Sequence, residues 1–163
     1  MKLGIRVAAA LAIGLAGVLA QAQMPAGHSI SRAAAVEYLF PEQVTVPAGK
    51  PASVALHFRI APGLHINSHT PAEEELIPTT FSIPDDSGVR LDGAVYPPGT
   101  DFHLPLDPKM KLSVYTGEFT IEARLVAAPG DHLVEAKLRY QACDNSSCMP
   151  PKTITVAIDV VGK

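Results

Sequence analysis

Val134-Glu135-Ala136-Lys137-Leu138-Arg139-Tyr140-Gln141 alternates strictly between apolar and polar residues. A period of two sends successive side chains to opposite faces of an extended chain. The stretch is therefore a strand with one face in a core and the other in water. Three more segments read the same way. Val54, Leu56, Phe58 and Ile60 alternate with Ala55, His57 and Arg59; Phe119, Ile121, Ala123 and Leu125 alternate with Thr120, Glu122 and Arg124. Ile154, Val156, Ile158 and Val160 alternate with Thr155, Ala157 and Asp159. Weaker strands are predicted at residues 36–40, 43–46, 64–68, 79–83 and 89–96. Turn formers separate them, among them Ala61-Pro62-Gly63, Asp85-Asp86-Ser87-Gly88 and Pro97-Pro98-Gly99. No long apolar repeat of helical period follows residue 22, and residues 72–76 can make one helical turn. Short strands with frequent turns predict an all-β fold, an antiparallel β-sandwich.

The N-terminus sets the expected compartment. Lys2 and Arg6 precede an apolar run over residues 7–20, and Ala20-Gln21-Ala22 offers a small-x-small cleavage pattern. This is the layout of a secretory signal peptide, residues 1–22, cleaved after Ala22. The run falls short of the roughly 20 residues that span a bilayer, and no cysteine follows it for lipidation. A flexible lead-in over residues 23–35 and one domain over residues 36–163 are expected, in the periplasm or secreted, with no stable membrane insertion once the leader is gone. Without Lys2 and Arg6 the chain carries eleven basic and sixteen acidic residues, a net charge of −5 with histidines neutral. That balance excludes nucleic acid and anionic membrane surfaces as natural partners.

The chain has two cysteines, Cys143 and Cys148, separated by Asp144-Asn145-Ser146-Ser147. They are expected to flank a loop between two strands. A bridge closing so short a loop gains only about 2 kcal/mol in the loop-entropy model. A sandwich staple joins distant strands instead, so the placement favours redox work over stabilisation. Pro150 and Pro151 stiffen the exit from Cys148. Asp144 beside a thiol raises its pKa, which suits a disulfide attacked by an incoming partner. Residues 101–112, Asp-Phe-His-Leu-Pro-Leu-Asp-Pro-Lys-Met-Lys-Leu, hold two prolines that are expected to prevent a regular strand. Apolar Phe102, Leu104 and Leu106 in such a segment must cover something or be covered.

Tyr140-Gln141-Ala142-Cys143, a short polar loop, Cys148 and Pro150-Pro151 before a Thr/Val strand resemble the N-terminal domain of the thiol:disulfide interchange protein DsbD family. Gly63-Leu64-His65-Ile66-Asn67, Tyr96-Pro97-Pro98-Gly99 and Val114-Tyr115 agree in order. The resemblance implies an immunoglobulin-like sandwich that takes electrons from a membrane-linked or exported thioredoxin-like protein. It implies onward reduction of periplasmic partners such as disulfide isomerases and cytochrome-maturation proteins, as the electron-transfer component of a protein-disulfide reductase without a cofactor. It makes Cys148 the interchange cysteine and Cys143 its resolving partner. Phe102, Leu104 and Leu106 become the shielding cap, and His65, Asn67, Tyr140 and Pro150 line the pair. Three departures stand out: four residues between the cysteines rather than five, no acidic-aromatic cap sequence, and His65 and Asn67 in place of aromatic residues.

Two other readings remain open. The disulfide can be purely structural. Alternatively, Cys143, Cys148 and Met149 are soft ligands, with His65 and His69 four apart, and such sets hold Cu(I). Against this, His65 and His69 do not share a helical face, and no metal site is expected. Glu73-Glu74-Glu75 reads as a solvated turn. No nucleophile elbow, phosphate loop or zinc-protease helix occurs, which argues against a hydrolase or nucleotide enzyme.

Overall fold

The computed structural model describes residues 34–39, 43–104 and 107–163. The segment expected to be a signal peptide, most of the expected lead-in, Pro105 and Leu106 lie outside them. In chain order the strands are β1 (Val36–Leu39), β2 (Gln43–Val46), β3 (Ala52–Ile60), β4 (His65–Asn67), β5 (Thr80–Ser82) and β6 (Val89–Val95). They continue with β7 (Thr100–Leu104), β8 (Asp107–Tyr115), β9 (Glu118–Ala127), β10 (Gly130–Tyr140), β11 (Ala142–Cys143) and β12 (Lys152–Gly162). One sheet has the order β1-β3-β9-β6, a second β2-β12-β10-β5, and a third β11-β4-β8-β7.

The first two sheets make the sandwich. Every apolar position of the four strongly alternating segments except Ile154 is buried, and these side chains join one core with residues from both sheets. The order β1-β3-β9-β6 is the A-B-E-D order of an immunoglobulin-like sandwich, and β12-β10-β5 is its G-F-C order. Strand β2 runs parallel to β12 at the edge of the second sheet. The fold is an immunoglobulin-like β-sandwich.

Three connections of that sandwich build the third sheet. β4 lies between β3 and β5, the β7–β8 hairpin between β6 and β9, and β11 between β10 and β12. β3 and β6 both run antiparallel to β9, so the chain leaves β3 and β6 at the end where it enters β9. β10 is antiparallel to β5 and β12, so its last residues lie where those strands begin. The ladders of β4 with β8 and β11 join these two groups of strand ends. The three inserts therefore meet at one end of the sandwich. Tyr115, the last residue of β8, anchors them: its ring stacks on Phe119 at 5.0 Å, and Phe119 stacks on Phe58 at 5.2 Å.

Two local expectations are corrected. Residues 101–104 and 107–112 belong to the strands β7 and β8 of a hairpin, not to an irregular loop. Pro108 sits in a bulged stretch, since His103 pairs with Lys111 while Leu104 pairs with Asp107. A missing N–H does the ladder no harm there. Ala35, at the end of the lead-in, is buried, and its carbonyl accepts the Ala61 N–H at 3.0 Å. Residues 72–76 contain a single turn, closed by Leu76 N–H to the Glu73 carbonyl at 3.3 Å.

Candidate redox site

Cys143 and Cys148 are joined in a disulfide, with Cα atoms 4.0 Å apart. Cys143 is not in a loop: it ends β11 and pairs with His65 of β4. The two cysteines differ sharply in access. Cys143 is 1 % exposed, whereas Cys148 is exposed at the far side of the connection.

The four-residue connection organises itself. The Asp144 carboxylate oxygen Oδ1 accepts the N–H groups of Ser146 at 2.8 Å and Ser147 at 2.7 Å, and the Ser146 hydroxyl at 2.9 Å. Asp144 N–H donates to the Ser147 carbonyl at 2.9 Å, closing the turn. These donors, the Ser146 N–H foremost, hold the Asp144 carboxyl below the usual carboxylate range. Asp favours such positions because its short side chain reaches the backbone two and three residues on. Met149 N–H returns to the Ala142 carbonyl at 2.8 Å, so both arms of the loop are tied.

Strand β4 supplies the polar floor. It is entered through Ala61-Pro62-Gly63-Leu64, where Leu64 N–H bonds the Ala61 carbonyl at 3.1 Å and Gly63 has φ +80°. Proline at the second position and a positive φ at the third make this a type II turn. His65 is 2 % exposed, and its Nε2 has no hydrogen-bond partner among the described residues. Its ring lies 4.3 Å from that of Phe102 on β7, tilted by 35°. Burial holds the His65 imidazole below its ordinary value, and the Asp144 charge offsets part of that shift.

Asn67 is buried and acts as a clamp. Its Nδ2 donates to the Ile77 carbonyl at 3.0 Å and to Gln141 Oε1 at 3.2 Å. Gln141 Nε2 in turn donates to the Met149 carbonyl at 3.2 Å. Gln141 thus ties β4 to the exit from the disulfide, a role that its place at the polar end of an alternating strand did not announce. Gly99 makes the approach on the other side possible: a Cβ there collides with Ser113 Oγ and Ser68.

The other expected residues are placed as follows. Leu104 is half-buried at the hairpin end, and Leu106 is outside the described residues. Tyr140 is fully buried in the sandwich core at the end of β10, and Pro150 is exposed beside Met149. A groove of about 590 Å³ opens beside His65 and Phe102, with Pro62, Leu64, Thr116 and Asn145 among its walls. A smaller cleft of about 340 Å³ between Ser82, Arg90 and Val126 contains neither cysteine. Among the described residues no three His, Cys, Asp or Glu side chains are grouped to hold a metal ion. No helix among the described residues is long and apolar enough to cross a membrane.

No curated protein matches the chain. Among solved structures it is similar to the reduced DsbD N-terminal domain of Neisseria meningitidis, at 19 % identity and a TM-score of 0.48, covering 71 % of this chain and 82 % of that one. It is also similar to the N-terminal periplasmic domain of ScsB from Proteus mirabilis, at 14 % identity and a TM-score of 0.49, covering 76 % of this chain and 44 % of that one. The family model described as thiol:disulfide interchange protein DsbD, N-terminal, matches residues 31–160, and the chain belongs to that family.

Proposed function

We propose that this domain is an exported thiol–disulfide exchange module that carries two electrons between thioredoxin-like proteins, with Cys148 as interchange cysteine and Cys143 as its resolving partner. The observation that carries the reading is the asymmetry of the pair. Cys148 is exposed, while Cys143 is buried in β11, the edge strand of the end sheet beside β4. Exchange proceeds by attack of a thiolate on one sulfur of a disulfide, and access decides which sulfur is attacked. A partner thiolate attacks Cys148 Sγ and the Cys143–Cys148 bond breaks. The electron pair stays on Cys143 Sγ, which takes up a proton. The partner's second thiolate then releases the mixed disulfide and leaves both cysteines reduced. In the second half the Cys148 thiolate attacks an acceptor's disulfide, and Cys143 resolves that adduct.

Phe102 on the β7–β8 hairpin fits the role of shield, since its ring packs against the histidine opposite Cys143. The periplasm is the compartment that this reading requires. Equilibration in glutathione or dithiothreitol buffers tests it. A reduction potential near about −230 mV or above belongs to exchange-competent disulfides, and one below about −300 mV to structural bridges. The same reading requires Cys148→Ser to abolish the mixed disulfide with a thioredoxin-like partner; an adduct that persists overturns the assignment.

A further inference from the structure

We propose that His65 is the proton partner of the Cys143 sulfur, accepting a hydrogen bond from its thiol in the reduced domain and taking that proton when Cys143 attacks in the resolving step. The inference deepens the exchange reading and rests on it for the second half of that role.

Register supplies the first argument. His65 and Cys143 are directly opposed in the β4–β11 ladder. Directly opposed residues of an antiparallel pair project to the same face with Cβ atoms roughly 4.5–5.5 Å apart. The neighbouring position shows that this geometry holds here. Asn67 stands two residues along on the same face, and its side chain bonds that of Gln141, two residues before Cys143.

The second argument is the unpartnered nitrogen. His65 Nε2 is buried without a hydrogen bond among the described residues, and a buried polar atom in that condition calls for an explanation. In the oxidised domain the neighbouring sulfur carries no proton, so it offers the imidazole no donor. Reduction places an S–H at that position. The nitrogen lacks its partner because the partner exists in only one of the two redox states. Phe102 lies against the ring, which is buried.

Charge around the ring agrees. Asp144, at the end of β11, is the carboxylate that favours the protonated imidazole. Asp101 and Lys111 of the hairpin pair with each other at 2.9 Å, and Arg59 and Glu118 at the groove pair at 2.9 Å. Tyr115 of β8 is opposed to Ile66, one residue out of step with His65.

The step balances. The partner thiolate bonds to Cys148 Sγ, the Cys143 sulfur leaves with the electron pair and takes a proton from solvent, and the thiol so formed donates its hydrogen bond to the neutral imidazole. The imidazole takes that proton when Cys143 attacks in the resolving step.

Two measurements test the proposal. In Cys148→Ser the remaining Cys143 thiol is titrated by its thiolate absorbance, with His65 intact and with His65→Gln. The two titrations are expected to differ by at least tenfold in the acid dissociation constant, one pKa unit. Superimposable titrations overturn the proposal. In the wild-type domain the His65 ring protons are followed by NMR against pH in the oxidised and the reduced state, which needs no variant to fold. Different midpoints support the proposal, and coincident midpoints overturn it. The exchange reading fails separately. A structural potential with a redox-dependent His65 titration sinks the shuttle but keeps the contact, whereas a carrier-like potential with an indifferent His65 does the reverse.

Discussion

Reducing the disulfide should weaken the domain only slightly. The bridge joins residues five apart in sequence, and the loop-entropy model gives about 2 kcal/mol for a loop of that size. Little else in the native state depends on the bond. β11 keeps its ladder with β4, Met149 keeps its bond to Ala142, and the Asp144 carboxylate keeps the turn. The core lies between the two sandwich sheets and includes neither cysteine. For a domain of this size about 2 kcal/mol corresponds to roughly 6–10 °C in Tm. Through the thermodynamic cycle it also places the folded couple about 45 mV below that of the unfolded chain. The assay is urea denaturation of the oxidised domain and of the same protein in excess dithiothreitol, followed by far-ultraviolet circular dichroism. A cooperative transition with an unchanged slope and the stated loss is expected. A loss above about 4 kcal/mol, or of cooperativity, would show that the bond holds the fold, and the argument from loop length would be wrong.

Two further outcomes are expected. Phe102→Ala removes the ring that packs against His65; with an aromatic pair worth about 0.5–1.5 kcal/mol, reduction of the disulfide by a small thiol should accelerate roughly 2- to 10-fold, and an unchanged rate in stopped-flow assays denies the hairpin a shielding role. In the oxidised domain burial depresses the His65 value, so the unfolded chain takes up a proton below about pH 6.5 that the folded domain refuses. Stability should therefore fall as pH drops from 7 towards about 5. The Asp144 contribution is present above its ordinary carboxylate value and disappears only at more acidic pH. Urea midpoints across that range should slope in the wild type and flatten in His65→Gln; equal slopes would assign the effect to another group.

The sandwich was legible because alternation maps directly onto burial. Val54, Leu56, Phe58 and Ile60 on β3, and Val134, Ala136, Leu138 and Tyr140 on β10, are the buried members of their strands. The end sheet was not legible in the same way. β4 buries all three of its residues, two of them polar. A strand buried on both faces loses the alternation that announces it. β11 is two residues long, below the length at which period two can be read. The prolines of residues 101–112 argued against strands because nothing in the sequence reveals where a ladder shifts register. Gln141 sits in a polar phase and reads as solvent-facing, yet it is half-buried between β10 and β11 with both ends of its amide engaged. The cysteine pair and the candidates Phe102, His65 and Asn67 came from motif and family resemblance. The structure brings His65, Phe102 and Cys143 together, and gives Asn67 the clamping of Gln141.

Placing the disulfide on inserts rather than on sandwich strands has a mechanical consequence. β7 is the edge of the end sheet, hydrogen-bonded to β8, and β8 meets β4 through two register pairs, Ile66 with Tyr115 and Asn67 with Val114. Within the hairpin the ladder is longer, five pairs from Thr100 to Leu104. The hairpin is therefore tied more firmly to itself than to the floor beneath it. Moving it off His65 breaks one ring contact, a short ladder and the hydrogen bonds between Ser68 and Ser113, while the stacked rings of Tyr115, Phe119 and Phe58 stay with the core. A shield of that kind can open at a free-energy cost far below that of global unfolding, as local openings in proteins do. On the proposed exchange reading, the sandwich is the rigid frame and the three connections are the moving and reacting parts. The difference in exposure between Cys148 and Cys143 then serves both halves of the exchange without the core taking part.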